Sequence, residues 1–442
     1  MINNKIKKLI KIIFINCAIC LLVQFMLPVD NLKNEIFWRY IVSFIFSYCI
    51  YKGSEEKNFL NPYILFAITP FSLMIYSQKV SKYFLVELRT QTWMLVVLNM
   101  IVFLLGMSLV LRISIKIGRY HFFAGNSYIC NEKKADYSTH GILLFSIGQI
   151  PKIFLILGMA LPGGQILSLC EYLGIAVEYK SGKKKNAYIM AIIYFILSIL
   201  TTFNKTNFLL LSLVFIVCIS SEIKNKREKR KLYIVILLVA LAMIFIAFPL
   251  KDFLARGESL AGFADADKDY LANQFIGRIQ WNGNIKLMMP YIYMTTNWTN
   301  LQFVMDTTTE FTNGLWFMKP LLGYLQIADG MKVYEMLVPY RPAFNTYSFV
   351  AVQYVDFGFW GSLFPSFIIG LFSGNVYKRY KKNPDSFNCA CYALTAVAVF
   401  EMFFSNHFFT QSYPFTIFIL SWICSKSIMK LRLPHLRKKV EK

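Results

Sequence analysis

Polar residues at the start of a predicted membrane span form the densest group of reactive side chains in the sequence. Within residues 341–361, Asn345, Thr346, Gln353 and Asp356 recur at spacings typical of one face of a helix. Such a stripe entering a membrane span indicates function more often than packing, because polar groups are costly in lipid. The Asp356 carboxylate is our first candidate for a general base toward a hydroxyl group, and its alternative role is to orient an arginine.

Cations in and near the segment 250–350 are candidates for holding phosphate. Arg256, Arg278 and Arg341 carry guanidinium groups, which grip phosphate oxygens in pairs. Lys205 lies in a short connection predicted to face the outside, where lysine is otherwise scarce, so it needs an anionic partner. The alternatives are ordinary surface arginines and a lysine that reaches lipid phosphate.

Other ionisable residues offer fewer options. His407 is the second candidate for the base, although a single histidine is more often structural. Lys152 and Glu171 both lie inside predicted spans, where they either pair with each other or line a substrate path. No grouping of His, Cys and Asp has metal-ligand spacing, and no glycine-rich phosphate loop is present, so we expect no metal and no nucleotide cofactor.

The elements that position these residues are predicted to be membrane helices. Of the 442 residues, 56% are hydrophobic and only 16% are charged, whereas soluble chains carry about a quarter charged residues. Apolar stretches of about 16 to 21 residues, which cross roughly 30 Å of hydrocarbon as helix, recur along the chain. We predict an all-α polytopic membrane protein of about twelve transmembrane helices. The predicted spans are 9–27, 38–52, 59–77, 92–111, 141–160, 165–179, 187–203, 207–222, 232–249, 354–377, 388–406 and 412–430.

The basic residues are explained by topology. A net charge of +23 raises nucleic acid as a partner, but the Lys and Arg residues are segregated into alternate connections, as the positive-inside rule requires of cytoplasmic loops. We therefore expect no nucleic acid partner, and both chain ends in the cytoplasm. The basic connections are at 5–8, 112–119, 183–185, 224–231, 378–382 and 437–439.

The predicted organisation has three parts. Residues 1–249 hold helices 1 to 9, residues 250–350 form one large extracytoplasmic loop between helices 9 and 10, and residues 351–442 hold helices 10 to 12 with a basic cytoplasmic tail. Within the loop, Ile285 to Met294 reads as a short apolar or interfacial element. Aromatic residues of the loop, such as Trp298 and Tyr340, suit either the bilayer interface or a sugar-binding surface. Cysteines such as Cys49 and Cys170 lie inside spans and are interpreted as structural.

The pattern resembles the O-antigen polymerase (Wzy-type) family of oligosaccharide repeat-unit polymerases and, more distantly, the O-antigen ligases. The resemblance covers the whole topology but few residues. Lys205 departs from the many relatives that have Arg there, and Phe344 stands where the ligases have His. The stretches that carry the resemblance are Asn61-Pro62-Tyr63, Asn204-Lys205-Thr206 before a leucine-rich helix, and Asn345-Thr346-Tyr347 through Asp356 to Gly361, together with the large external loop.

The resemblance implies a metal-independent glycosyl transfer at the outer face of the bacterial cytoplasmic membrane. The donor would be an undecaprenyl-diphosphate-linked oligosaccharide, and the acceptor a sugar hydroxyl on another lipid-linked repeat unit. A flippase and a chain-length regulator are the partners that the family implies, besides membrane lipids. The implied roles are diphosphate binding by Arg256, Arg278, Arg341 and Lys205, substrate binding by Tyr340, Asn345, Thr346 and Tyr347, and base catalysis by Asp356 or His407.

Two other functions stay open. A flippase or transporter for lipid-linked oligosaccharide would also have about twelve spans, but we expect it to have short loops and charged residues in both halves. An O-antigen ligase is disfavoured by Phe344. A receptor is disfavoured because the sequence has no evident soluble signalling domain.

Overall fold

The structure, a computed structural model, describes residues 33–56, 58–76, 86–112, 138–159, 164–201, 205–223, 225, 227–228, 230–234, 285–318 and 346–410. All regular secondary structure in these segments is helical, as predicted. The helices are α1 (Lys33–Glu55), α2 (Pro62–Phe66), α3 (Ile68–Tyr76), α4 (Thr90–Arg112), α5 (Ser138–Ile156), α6 (Gly164–Lys180), α7 (Lys184–Thr201), α8 (Lys205–Glu222), α9 (Ile285–Thr307), α10 (Phe349–Gly361), α11 (Leu363–Lys382), α12 (Ser386–Phe400) and α13 (His407–Thr410), with a 3-10 turn at Glu401–Phe403.

Within the described segments, two helical stretches are long and apolar enough to cross a membrane. They are Thr90–Leu111 of α4 and Ser386–Phe403, and α10 with α11 makes a third if the bent pair counts as one span. These stretches support a membrane protein. The total of about twelve spans stays a prediction. Most predicted spans within the described residues do not meet this test, and 9–27, 412–430 and nearly all of 232–249 lie outside those residues.

Most predicted spans within the described residues coincide with one helix each, but 59–77 is divided. It consists of α2 and α3, separated at Ala67. The start of α2 is fixed by Asn61, whose side chain accepts a hydrogen bond from the Ile64 amide at 3.0 Å, and by Pro62 in the first turn. The Asn61-Pro62 pair therefore acts here as a helix cap.

Helices α4 and α11 pack with their backbones in close approach and run in the same direction. A Cβ atom at Gly374 would lie 2.9 Å from the Met107 carbonyl oxygen, so only glycine fits there without a shift. Asn99 Nδ2 donates to Ser362 Oγ at 3.1 Å. Toward the other end, Lys378 Nζ donates to the Val110 carbonyl at 3.0 Å. The basic loops predict the same parallel direction for spans 92–111 and 354–377.

The predicted span 354–377 is wrong as a single helix. Helices α10 and α11 meet at a bend of 117°. Gly358 lies within it with φ 67° and ψ −168°, a backbone conformation that residues with a Cβ rarely adopt. The chain thus changes direction where hydropathy shows one continuous apolar run.

The prediction of a short element at 285–294 is also wrong. The helix there, α9, continues to Thr307, and the part from 295 to 302 is buried although most of its residues are polar. Trp298 Nε1 donates to Ser72 Oγ of α3 at 3.1 Å, and Thr92 Oγ1 of α4 donates to Gln302 Oε1 at 2.6 Å. Side-chain hydrogen bonds to neighbouring helices allow this burial, which a hydropathy profile cannot register.

The predicted pairing of Lys152 with Glu171 is confirmed. Lys152 Nζ lies 2.9 Å from Glu171 Oε2, and both side chains are buried between α5 and α6. Gln149 Nε2 donates to the same carboxylate oxygen at 2.7 Å. The lysine also lies 3.5 Å from the ring centroid of Tyr194 on α7, so one cation joins three helices. With Tyr172, whose hydroxyl bonds that of Tyr194, we call these residues the lysine network.

Candidate functional site

Two asparagines one turn apart on α9 hold the segments that the sequence singled out. Asn300 Nδ2 donates to the Thr346 carbonyl at 2.7 Å. Asn297 Nδ2 donates to the Phe403 carbonyl, just after α12. Because both amides project from one helix, α9 connects the predicted substrate-binding stretch to the region around His407.

His407 is paired with a carboxylate. Its Nε2 atom bonds Glu401 Oε2, and both residues are buried. The adjacent Asn406 donates through Nδ2 to the Phe349 carbonyl at 3.1 Å, which ties the start of α10 to the histidine. Thr346 and His407 are distant in sequence but belong to one connected group of hydrogen bonds. We call Asn297, Asn300, Thr346, Ser348, Glu401, Asn406 and His407 the histidine network.

One end of the histidine network lies beside the middle of α4, and the other lies near its start. The Phe66 ring centroid is 4.4 Å from that of Phe103 on α4 and 6.4 Å from that of Phe349. Phe103 is about 20 Å along the helix from Thr90 and about 14 Å from Arg112. Asn300, by contrast, lies within one turn of Gln302, which bonds Thr92 at the start of α4. The network therefore extends from near the start of α4 to its middle, and α4 is long and apolar enough to span a bilayer.

The end of α9 lies at the start of α4. Arg89, just before α4, lies with Nη1 3.0 Å from Asp306 Oδ1. The Arg89 amide also donates to Gln302 Oε1 at 2.9 Å. Exposed charges therefore sit at the start of α4, and uncharged amides and hydroxyls follow deeper along α9.

Several buried oxygens of the histidine network have unused hydrogen-bonding capacity. Asn297 Oδ1, Thr346 Oγ1 and Ser348 Oγ have no hydrogen-bond partner among the residues that the structure describes. Buried polar atoms are seldom left unpaired, since each such atom costs about 1–3 kcal/mol. Water or the hydroxyl groups of a ligand would satisfy them.

Asp356 acts as an anchor for the segment that follows α9. Its carboxylate accepts hydrogen bonds from Thr312 Oγ1, from the Trp316 amide at 2.9 Å and from the Phe317 amide at 2.9 Å. It is fully buried. These bonds occupy both carboxylate oxygens, so the geometry assigns Asp356 a structural task. Its catalytic role stays a prediction.

The predicted polar stripe is not one helix face. Thr346 precedes α10, which begins at Phe349. Gln353 accepts a hydrogen bond from Ser366 Oγ at 2.7 Å and so contacts α11, whereas Asp356 contacts residues 312–317. The helix begins at Phe349, after Asn345 and Thr346. Its polar residues form hydrogen bonds with different parts of the chain.

The remaining predicted residues fall largely outside the description. Arg256, Arg278, Tyr340, Arg341 and Asn345 lie outside the described residues. Lys205 is the first residue of α8, and its side chain is likewise outside the description. Their roles stay predictions. Across the segments that the structure does describe, no group of three or more His, Cys, Asp or Glu residues could hold a metal ion.

Sequence reasoning missed Glu401, Asn297 and Asn300. Glu401 precedes His407 by six positions at the end of an apolar stretch, and a carboxylate at that depth was a usable signal. The asparagines belong to Thr-Thr-Asn-Trp-Thr-Asn, which looks like a loop until its neighbours are known. Comparison with models of protein families, with curated proteins and with solved structures finds no match to this chain.

Proposed function

We propose that this chain joins undecaprenyl-diphosphate-linked oligosaccharide repeat units into a surface polysaccharide, an O-antigen or a capsule, in the bacterial cytoplasmic membrane. The observation that carries the proposal is a pair of connections to the region of the His407–Glu401 pair. Thr346 is connected through Asn300 and Asn297 of α9, and the start of α10 is connected through Asn406. Thr346, which the family resemblance implies for substrate binding, and His407, the second candidate for the base, are thus joined by one chain of hydrogen bonds.

The chemistry needs a base and a way to neutralise a leaving group. In the proposed reaction the acceptor hydroxyl oxygen forms a bond to the anomeric carbon of the donor, and the bond from that carbon to the diphosphate oxygen breaks. The diphosphate leaves with the electron pair. The hydroxyl proton passes to the His407 imidazole, and the Glu401 carboxylate orients the ring and stabilises the imidazolium.

The leaving group itself drives the transfer, so no nucleotide is required. Arg256, Arg278, Arg341 and Lys205 are proposed to neutralise the charge that develops on the diphosphate. Thr346, Tyr347, Asn345 and Tyr340 are proposed to contact the glycan. A flippase that delivers the repeat units and a chain-length regulator are the proposed partners.

A second function, transport of the lipid-linked oligosaccharide, is favoured by the depth of the site. Transporters place binding sites near the middle of the bilayer beside broken helices. The 117° bend between α10 and α11, and the end of the network at Phe349 beside the middle of α4, share those features. The histidine paired with Glu401 fits a polymerase as well. An experiment must therefore separate the two functions.

Deletion of the gene in its host, followed by gel analysis of surface glycan, tests the proposal. We expect single repeat units without long polymer. Complementation with His407→Gln should not restore polymer, because glutamine can still donate to Glu401 but takes up no proton from the acceptor. Glu222→Gln is a matched control, since Glu222 forms an ion pair with Lys184 far from the histidine network, and it should restore normal polymer.

Three outcomes contradict the proposal. Complete loss of exported repeat units on deletion favours the transporter. Polymer that is made but not transferred to its final acceptor favours a ligase. Normal polymer in His407→Gln, at a protein level equal to that of the wild type, removes the histidine from the site.

A further inference from the structure

An apolar corner is exposed where α10 meets α11. Trp360 and Phe364 at the bend are 69% and 71% exposed, and Phe357 is partly exposed beside them. The segment after α9 adds Phe311, Leu315 and Phe317, each close to half exposed. We call these six residues the apolar corner. Large contiguous apolar surfaces on proteins mark contact with another apolar phase.

The two segments of the apolar corner are fastened together. Asp356 accepts hydrogen bonds from the Trp316 and Phe317 amides, and the Thr312 amide donates to the Val355 carbonyl at 2.9 Å. The ring of Phe311 packs over Gly358, where an added Cβ would lie 3.0 Å from it. Residues 311–318 are therefore held against α10 at the bend.

The apolar corner lies at the same level as an exposed apolar face of α4. Ser362, at the bend, bonds Asn99, which lies about 14 Å along α4 from Thr90. Near this level and beyond it, α4 exposes Ile101, Leu105 and Leu109 at helical spacing, the face of a spanning helix that meets lipid. Lipid chains that cover this face of α4 reach the same depth as the bend.

Polar residues border the apolar corner on the side toward the start of α4. Asp306 pairs with Arg89 there, and Thr309 and Glu310 are exposed just before Phe311. The chain thus passes from charged to apolar exposed residues over a few positions. Such a boundary is typical of the transition from the water interface to the hydrocarbon layer, where tryptophan is enriched.

We infer that the apolar corner is embedded among the acyl chains of the bilayer, so that residues 311–318 enter the membrane although their sequence lies in a predicted aqueous loop. Lipid is the partner of this surface. The exposed apolar side chains, their level on α4 and the polar boundary beside them support this placement. It holds whether the chain is a polymerase or a transporter.

Spin labels at single cysteines test the inference in vesicles of phosphatidylethanolamine and phosphatidylglycerol. The variants are Phe317→Cys, Trp360→Cys and Phe364→Cys. Ile192→Cys on the exposed apolar face of α7 serves as the lipid reference, and Glu310→Cys as the water reference. The unsubstituted protein, labelled in parallel, subtracts any signal from native cysteines.

Collisions with oxygen and with a water-soluble nickel chelate report the surroundings of each label. We expect the three corner labels to show the high oxygen and low nickel accessibility of the Ile192→Cys label, and the Glu310→Cys label to show the reverse. Corner labels that match Glu310→Cys would place the surface in water and overturn the inference. Labels immobilised and shielded from both reagents would overturn it in favour of a protein partner, including a second copy of this chain.

Discussion

The lysine network and the histidine network are both buried among helices, but they differ in how far their hydrogen bonds are completed. In the lysine network, Glu171 receives both Lys152 and Gln149, and Tyr194 covers the cation. One buried atom of this network, Gln149 Oε1, has no partner among the described residues. Its charges are matched, and it joins α5, α6 and α7.

The histidine network instead leaves three oxygens without a partner in the part of the chain that the structure describes, on Asn297, Thr346 and Ser348. It lies beside a bent helix pair, whereas the lysine network joins helices that continue through it. A completed network of matched charges stabilises one packing arrangement, and an incomplete one offers groups to a ligand. The difference agrees with a structural role for the first network and with the ligand-binding role proposed for the second.

Removing one charge of the lysine network should have the largest effect on stability. Lys152→Met leaves Glu171 buried without its cation, which costs roughly 3–5 kcal/mol. The double variant Lys152→Met/Glu171→Met should recover most of that loss, because no unpaired charge stays in the interior. SDS-induced unfolding in mixed micelles measures both. A double variant with full stability but no polymer would show that the lysine network has a functional role and would break the comparison.

Changing the bend should have a smaller effect on stability and a clear effect on activity. Gly358→Ala places a Cβ at φ 67°, 3.0 Å from the Phe311 ring, and should cost about 1–3 kcal/mol. Gly158→Ala, at φ 75° with open space around it, is a control for a positive-φ glycine away from the bend. We expect polymer to fall only in Gly358→Ala. Equal polymer in both variants would mean that the bend does not position the histidine network.

Removing an unused hydroxyl should have the smallest effect on stability. Ser348→Ala deletes a buried oxygen without a partner among the described residues, so folding should be unchanged or improved by about 1 kcal/mol. Ser366→Ala is the control, because its hydroxyl oxygen lies within hydrogen-bonding distance of Gln353 Oε1 and Asn99 Oδ1, and it should destabilise by about 1–3 kcal/mol. Polymer yield should fall in Ser348→Ala if the hydroxyl contacts substrate. A destabilised Ser348→Ala with normal polymer would place this oxygen in a completed network.

The sequence by itself predicted the helical class and most helix positions within the described residues, and it gave the pairing of Lys152 with Glu171 as one of two alternatives. These features follow from local properties. An apolar stretch of sufficient length must form a helix in lipid, because its backbone groups have no other partners there. A charge inside such a stretch, such as that of Lys152, needs an opposite charge, and the adjacent predicted span contains Glu171.

The tertiary structure decided the burial of α9, the bend at Gly358 and the meeting of Glu401 with His407. A hydropathy profile averages residues along the chain and ignores their partners, so it reads Asn297 and Asn300 as loop residues. In the folded chain the carbonyl groups of Phe403 and Thr346 accept their hydrogen bonds. Glycine permits the Gly358 conformation without requiring it, so contacts in the folded structure must select it. Contacts between residues distant in the chain carry no local signature, and for that reason the histidine network emerged only once the helices were assembled.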